Sequence, residues 1–201
     1  TTPLELWMIK KGRMKVPPKP NPDQLEMGHL LEPIAAYWYQ KKTGNTVTDD
    51  TNMYQHADHP YALADFDRRY IRAVDKEPGI LECKSCPYHK AGDWADDAIP
   101  LYYEFQLRYY LSVADVKHGA FPTLWGNNPD NDMAMPEIIR DRAKEDIIFE
   151  RLDEWIWSLV HDKPPTMGDV KPKLALESLA RIYGASRPGL PTIEFPPKFE
   201  K

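Results

Sequence analysis

The spacing of apolar positions changes along this chain, and the changes predict its elements. Residues 3–12 read as a short helix, and Val16 to Pro22, with four prolines, as a loop. Residues 24–43 carry Leu30, Leu31, Ile34, Ala35, Tyr37 and Trp38 at helical spacing, and Gly44 follows Thr43 as a stop signal. Strands are predicted at 47–50, 52–57, 61–72 and 79–86, the last two joined by a polar turn as a hairpin. Lys90 to Ala98 reads as a polar loop with Asp93, Trp94, Asp96 and Asp97. Residues 100–113 read as a second long helix, and Ala120 to Gly126 as a further strand. From Pro136 to His161 an amphipathic helix is predicted, with Ile139, Ile147, Ile148, Leu152, Trp155, Ile156 and Leu159 as core positions and Lys163-Pro164-Pro165 as its end. A last helix is predicted at 173–183, and the proline-rich chain from Gly184 onward reads as extended. The mixture of helices and strands predicts an α/β fold.

The hairpin carries an acid pair. Asp67 ends the run Tyr61-Ala62-Leu63-Ala64-Asp65-Phe66-Asp67, and the returning strand reads Gly79-Ile80-Leu81-Glu82-Cys83-Lys84. Alternation sends Glu82 and Lys84 to one face and Cys83 to the other. An Asp, a turn and then Glu-x-Lys resembles the core of PD-(D/E)XK (restriction-endonuclease-like) nucleases, which implies a central mixed sheet flanked by helices. The chemistry of a phosphodiester suits these residues. The diester is anionic and repels hydroxide, so hydrolysis needs charge neutralisation and a nucleophile at neutral pH, both of which Mg²⁺ supplies. Mg²⁺ takes hard oxygen ligands. Asp67, Glu82 and the backbone carbonyl of Cys83 are the candidate ligands, with Lys84 beside the attacking water. The motif alone also fits a surface hairpin of solvated charges.

Two flanking helices sharpen the picture. Upstream stands Met27-Gly28-His29-Leu30-Leu31-Glu32-Pro33, and downstream Ile99-Pro100-Leu101-Tyr102-Tyr103-Glu104-Phe105-Gln106, with Tyr110 one turn after Gln106 on the same face. The order Gly-x-x-x-Glu-Pro, His59-Pro60, Leu-Glu-x-Lys and Ile-Pro-x-x-Tyr-x-x-Gln-x-x-x-Tyr-Leu resembles the YqaJ-like viral recombinases, phage and prophage nucleases related to lambda exonuclease. The resemblance covers roughly residues 1–165, taken as the nuclease domain. Residues 166–201 are read as a C-terminal helix and tail on the same domain, the tail a candidate to pack on a neighbouring subunit.

The resemblance implies that Glu32 reaches the metal site directly or through water, that Asp67 and Glu82 hold Mg²⁺ or Mn²⁺, that Lys84 is the catalytic lysine, and that Gln106 and Tyr110 flank the site. It also implies a homotrimer threading double-stranded DNA ends, and a single-strand annealing protein as partner. The implied activity is 5′→3′ exonuclease action on linear duplex DNA in phage-type recombination, in the cytoplasm of a bacterial or phage-infected cell. Two departures bear on end recognition. Family members open with an Arg-containing segment and a Gly-Gly-Ser-Asp-like turn before the Pro-Leu-Glu-Leu-Trp block, whereas this sequence starts at Thr1-Thr2-Pro3. Asp65 stands where the family often has Asn or Ser. Both leave open an endonuclease or single-strand nuclease on the same core, or a catalytically idle DNA-binding module.

A chain of 201 residues accommodates one α/β domain with a full core. Its longest apolar runs fall short of the ~18 residues of a membrane span, and no secretory signal is visible. A net charge of −5 opposes phosphate binding as a whole, so DNA contact needs local basic patches. Candidates are Lys10, Lys11 and Arg13 near the N-terminus, and Arg68, Arg69 and Arg72 beside the acid pair, with Arg68, Tyr70 and Arg72 on one strand face and Arg69 on the other. Cys83-x-x-Cys86-x-x-His89, with His56 and His59, offers zinc ligands. Yet the cysteine-bound clusters of this superfamily use four cysteines and the chain has two, so a buried reduced Cys83 is the preferred reading.

Overall fold

The computed structural model describes residues 2–18, 21–166 and 170–184. They fall into two compact units, one of residues up to 18 and from Leu152 on, the other up to Arg151. The chain runs through α1 (Pro3–Lys10), α2 (Pro22–Thr43), β1 (Thr46–Asp49), β2 (Tyr54–Gln55), β3 (Leu63–Ala64), β4 (Arg68–Ile71), β5 (Pro78–Leu81) and β6 (Lys84–Ser85). A 3₁₀ stretch (Tyr88–Asp97) leads to α3 (Leu101–Val113), β7 (His118–Ala120), β8 (Thr123–Leu124), β9 (Met133–Ala134), β10 (Glu137–Ile139), α4 (Arg142–Val160) and α5 (Pro172–Tyr183).

In the smaller unit α1 opens with a capping box. The Thr2 hydroxyl accepts from the Glu5 amide, and the Glu5 carboxylate accepts from the Thr2 amide. Trp7 is buried and its indole donates to the Ser158 carbonyl near the end of α4. Arg181 of α5 pairs with the buried Glu5, and the hydroxyls of Thr2 and Ser178 lie 2.7 Å apart. The expected tail beyond Gly184 lies outside the described residues.

The larger unit holds a five-stranded mixed sheet in the order β1-β4-β5-β7-β10, antiparallel except between β5 and β7. Parallel neighbours need a crossover, supplied here by the 3₁₀ stretch and α3. The strands continue beyond this sheet as β6-β8-β9. The amides of Glu82, Lys84 and Cys86 donate in turn to the carbonyls of Ala120, Pro122 and Leu124, so the parallel ladder runs unbroken past Glu82. Alternation along β5 splits the core. Ile80 packs with Phe66, Leu107, Leu111 and Phe121 on the α3 side. Leu81 packs with Tyr39, Tyr70 and Ala120, and Cys83 with Ala35 and Ala36, on the α2 side. Two glycines are required by position. Gly44 ends α2 at φ 73°, its amide bonded to Gln40. Gly79 faces Tyr70 across the β4–β5 pair, and a Cβ there would sit 2.2 Å from the ring.

The mixed sheet between helices and the β4–β5 hairpin match the expectation; several boundaries do not. The single strand read at 61–72 is two, broken around Asp65–Asp67. The strand read at 120–126 is instead the last residue of β7, Ala120, and then β8 at Thr123–Leu124. The helix expected from Pro136 starts at Arg142, because Glu137–Ile139 first pairs with β7, and Ile139 is exposed. The expected polar loop at 90–98 is largely 3₁₀, with Trp94 buried against Phe121.

Candidate active site

Antiparallel register brings the acid pair together. Arg68 lies opposite Leu81, so the next step outward sets Asp67 beside Glu82. Strand β4 ends there, and the amide of Cys83 on that edge would lack a partner. Asp67 Oδ2 takes it at 2.6 Å. Glu82 Oε1 accepts from Lys84 Nζ and from Gln106 Nε2 of α3, each at 2.7 Å, and Gln106 Nε2 also lies 3.1 Å from the Tyr110 hydroxyl. Glu32 comes from α2, where His29 Nδ1 meets its Oε1 at 2.8 Å. His29-x-x-Glu32 is a helical i, i+3 pair, a signal the sequence reading quoted without using. A cavity of about 420 Å³ opens beside the site, lined by Gly28, His29 and Glu32, by Lys84 and Ser85, and by Tyr103.

The electrostatics follow from burial. Burial, then the neighbouring Asp67, lifts Glu82 to about 7 against the opposing pull of Lys84 and Gln106. Asp67 is raised as well, by burial first and Glu32 second, with the Cys83 amide, Lys84 and Arg68 opposing. Glu82 Oε2 is buried with no hydrogen-bond partner among the described residues. An orphaned carboxylate oxygen next to a second carboxylate is an unbalanced arrangement for protein alone. A hard divalent cation fits this donor set. The carbonyl of Cys83 projects from the same strand edge as its amide, toward Asp67.

The structure therefore brings Glu32, Asp67, Glu82, Lys84, Gln106 and Tyr110 into one neighbourhood. The candidate DNA contacts are distributed differently. Arg68 bonds Asp49 at 2.8 Å, and Arg69 lies over the Tyr54 ring and 3.6 Å from Asp50. Arg72 is engaged by Asp75, Glu137 and His118. Lys11 and Arg13 share Asp162 in the smaller unit, and Lys10 is exposed at the end of α1.

The zinc alternative finds no support. Cys83 is buried, its thiol held well above the usual range by burial, and both cysteines are free. His56 and His59 pack on Phe149. Asp75, Glu77 and His118 do bring one ligand atom each within 4.8 Å of one another. There, however, Arg72 donates to His118 Nδ1, which leaves His118 Nε2–H to donate to Glu77. Lys117 caps Glu77 and Arg72 caps Asp75. That cluster is neutralised from within.

Comparison with known proteins agrees with this geometry. Residues 1–117 match the model of the YqaJ-like viral recombinase domain. The uncharacterized protein YqaJ of Bacillus subtilis (strain 168) is 31% identical over 184 residues, 90% of this chain but 53% of that protein, so the chain spans about half the length of this relative. Among solved structures, an alkaline exonuclease from Laribacter hongkongensis superposes with a TM-score of 0.62 at 18% identity, over 87% of this chain and 84% of that one. Its complex with dAMP gives 0.64 at 20% identity, with the same coverage. A phage related exonuclease from Haemophilus somnus 129PT gives 0.57 at 16% identity, over 80% and 81%. These similarities establish the PD-(D/E)XK fold. With more than half its length matching the family model and the motif residues gathered at one strand end, the chain belongs to the YqaJ-like viral recombinase domain family.

Proposed function

We propose that this chain is a divalent-metal-dependent deoxyribonuclease that degrades one strand of linear duplex DNA, 5′→3′, in phage-type recombination. The observation that carries this reading is the orphaned, buried Glu82 Oε2 beside Asp67, on a carboxylate whose other oxygen, Oε1, is held by Lys84. Asp67 and Glu82 would hold Mg²⁺ or Mn²⁺, with the Cys83 carbonyl and, directly or through water, Glu32 completing the protein ligands. The cation, when bound, lowers the pKa of its water and offsets charge on the phosphate.

The protein's own residues supply the positioning. Gln106 pins Glu82 through Oε1 and leaves Oε2 open. The Cys83 amide fixes the Asp67 carboxylate. Lys84 keeps an ammonium donor at the edge of the cavity, where it orients an attacking water and favours its deprotonated form. A ring-shaped trimer around DNA, an annealing protein that takes the single strand, and action in the cytoplasm of a bacterial or phage-infected cell complete the proposal by family resemblance. Among the described residues no helix is long and apolar enough to cross a membrane.

The test is hydrolysis of linear duplex DNA with 5′-phosphate or 5′-hydroxyl ends, in Mg²⁺ or EDTA, for the wild type and Lys84→Ala. Mg²⁺-dependent shortening that needs Lys84 and favours 5′-phosphate supports the exonuclease. Cleavage indifferent to ends, or of circles, replaces it with an endonuclease. DNA binding with no cleavage under any metal refutes the enzyme.

A further inference from the structure

Lys84 has a second partner besides Glu82. Its ammonium sits 4.9 Å from the centroid of the Tyr103 ring, within the distance at which the ring's electron-rich face attracts a cation. The ring is itself packed against aromatic neighbours. Trp94 stacks on it at 5.5 Å and 29°, and Phe121 lies at 6.0 Å. Trp94 and Phe121 are both buried. The 3₁₀ stretch that replaces the expected polar loop thus supplies a stacking partner for this ring.

The spacing matches on both sides. Glu82 and Lys84 are two apart on a strand, a span of roughly 6.6 Å. Tyr103 and Gln106 are three apart on α3, a rise of roughly 4.5 Å. One helix face therefore delivers an amide to Glu82 and a ring to Lys84. The two contacts differ in kind. A carboxylate that serves a cation is a contested partner for an ammonium, whereas a ring face attracts the ammonium and is no ligand for Mg²⁺.

We propose that Tyr103 is a positioning residue for Lys84, its ring face holding the ammonium at the mouth of the cavity. This rests on the nuclease reading above. Its role is carried by the ring and not by the hydroxyl, and it acts on turnover rather than on DNA binding.

Two measurements test it. The first is NMR of the Lys84 side-chain methylenes in the metal-free protein, assigned by their loss in Lys84→Ala. Ring-current shifts in the wild type and Tyr103→Phe, absent in Tyr103→Leu, are expected. The second is steady-state hydrolysis with Mg²⁺. Tyr103→Leu lowers kcat about 5- to 30-fold with KM for DNA unchanged, and Tyr103→Phe stays within about twofold. Should Tyr103→Leu fail to fold, phenylalanine and then its trifluorinated analogue at position 103 keep the ring's shape while weakening its face, and kcat falls between them. Unshifted Lys84 methylenes in the wild type overturn the proposal, as does a wild-type kcat in Tyr103→Leu or in the fluorinated variant. A wild type that does not cleave at all overturns the nuclease reading instead, and this assignment with it.

Discussion

Gln106→Leu removes one donor from the carboxylate pair while roughly keeping side-chain volume. In the structure that donor is a 2.7 Å hydrogen bond to Glu82 Oε1, and it favours the ionised carboxylate. A hydrogen bond to a charged acceptor contributes about 1.5–3 kcal/mol, which corresponds to about 1–2 pKa units. Glu82 already stands at about 7, lifted by burial and by Asp67. Its midpoint in the variant is therefore expected at about 8–9. The assay is a ¹³C NMR titration of glutamate side-chain carboxyls in EDTA. Asp67 and Glu82 titrate as a pair, so the upper midpoint is the one that moves. The consequence for metal has a definite sign. A cation must displace the proton that now persists at neutral pH, so Mn²⁺ affinity near pH 7 falls about 5- to 50-fold relative to the half-protonated wild type and recovers above the new midpoint. An unchanged or lowered midpoint in Gln106→Leu would refute the idea that Gln106 tunes Glu82.

Three further outcomes are expected. Because the folded midpoint of Glu82 lies above its unfolded value of 4.5, the native state holds a proton the unfolded chain has released. Stability then falls as pH rises through the window from 4.5 to about 7. Thermal melts should show this loss in EDTA, with Mg²⁺ stabilising more at about pH 8 than at about pH 5, and both effects reduced in Glu82→Gln, where only the raised Asp67 remains. Gly79→Ala puts a Cβ 2.2 Å from the fully buried Tyr70 ring, which also packs edge-on against Tyr39. Urea unfolding should report a loss of about 3 kcal/mol, partly recovered by adding Tyr70→Leu. Arg181→Leu strips the buried Glu5 of the partner that lowers its pKa. Denaturation should show a small cost at neutral pH that disappears as pH falls below the carboxylate range, because Glu5 is then protonated in both variants.

Local pattern carried much of this molecule. Period-two alternation correctly separated Glu82 and Lys84 from Cys83, and the polar turn after Ile71 marked the hairpin. What escaped was non-local. Met133–Ala134 and Glu137–Ile139 are strands only because β8 and β7 lie beside them. At two or three residues they leave no periodic trace, and Ile139 mimicked the first apolar position of the helix that follows. Trp94 was swallowed by its acidic neighbours, although a lone tryptophan amid polar residues was a usable hint of burial. Tyr103 stands in the Ile-Pro-x-x-Tyr-x-x-Gln block, yet nothing in sequence spacing says that a helix ring will meet a strand lysine. The surroundings of the basic residues were equally non-local. Arg68, Arg69 and Arg72 cluster in sequence as candidate DNA contacts, and Asp49, Asp50 and Asp75 meet them in space.

The unbroken parallel ladder past Glu82 sets an order of events in folding. The hairpin of β4 and β5 is local and of the kind that closes in about 1–10 μs. The partners of Glu82, Lys84 and Cys86 are Ala120, Pro122 and Leu124, about forty residues later, and reaching them means closing a long crossover before any reward arrives. Asp67 and Glu82 can thus be neighbours while the Gln106 amide and the Tyr103 ring are still absent from the site. During refolding, recovered hydrolysis should trail recovered hairpin structure, so catalysis itself becomes a clock for the crossover.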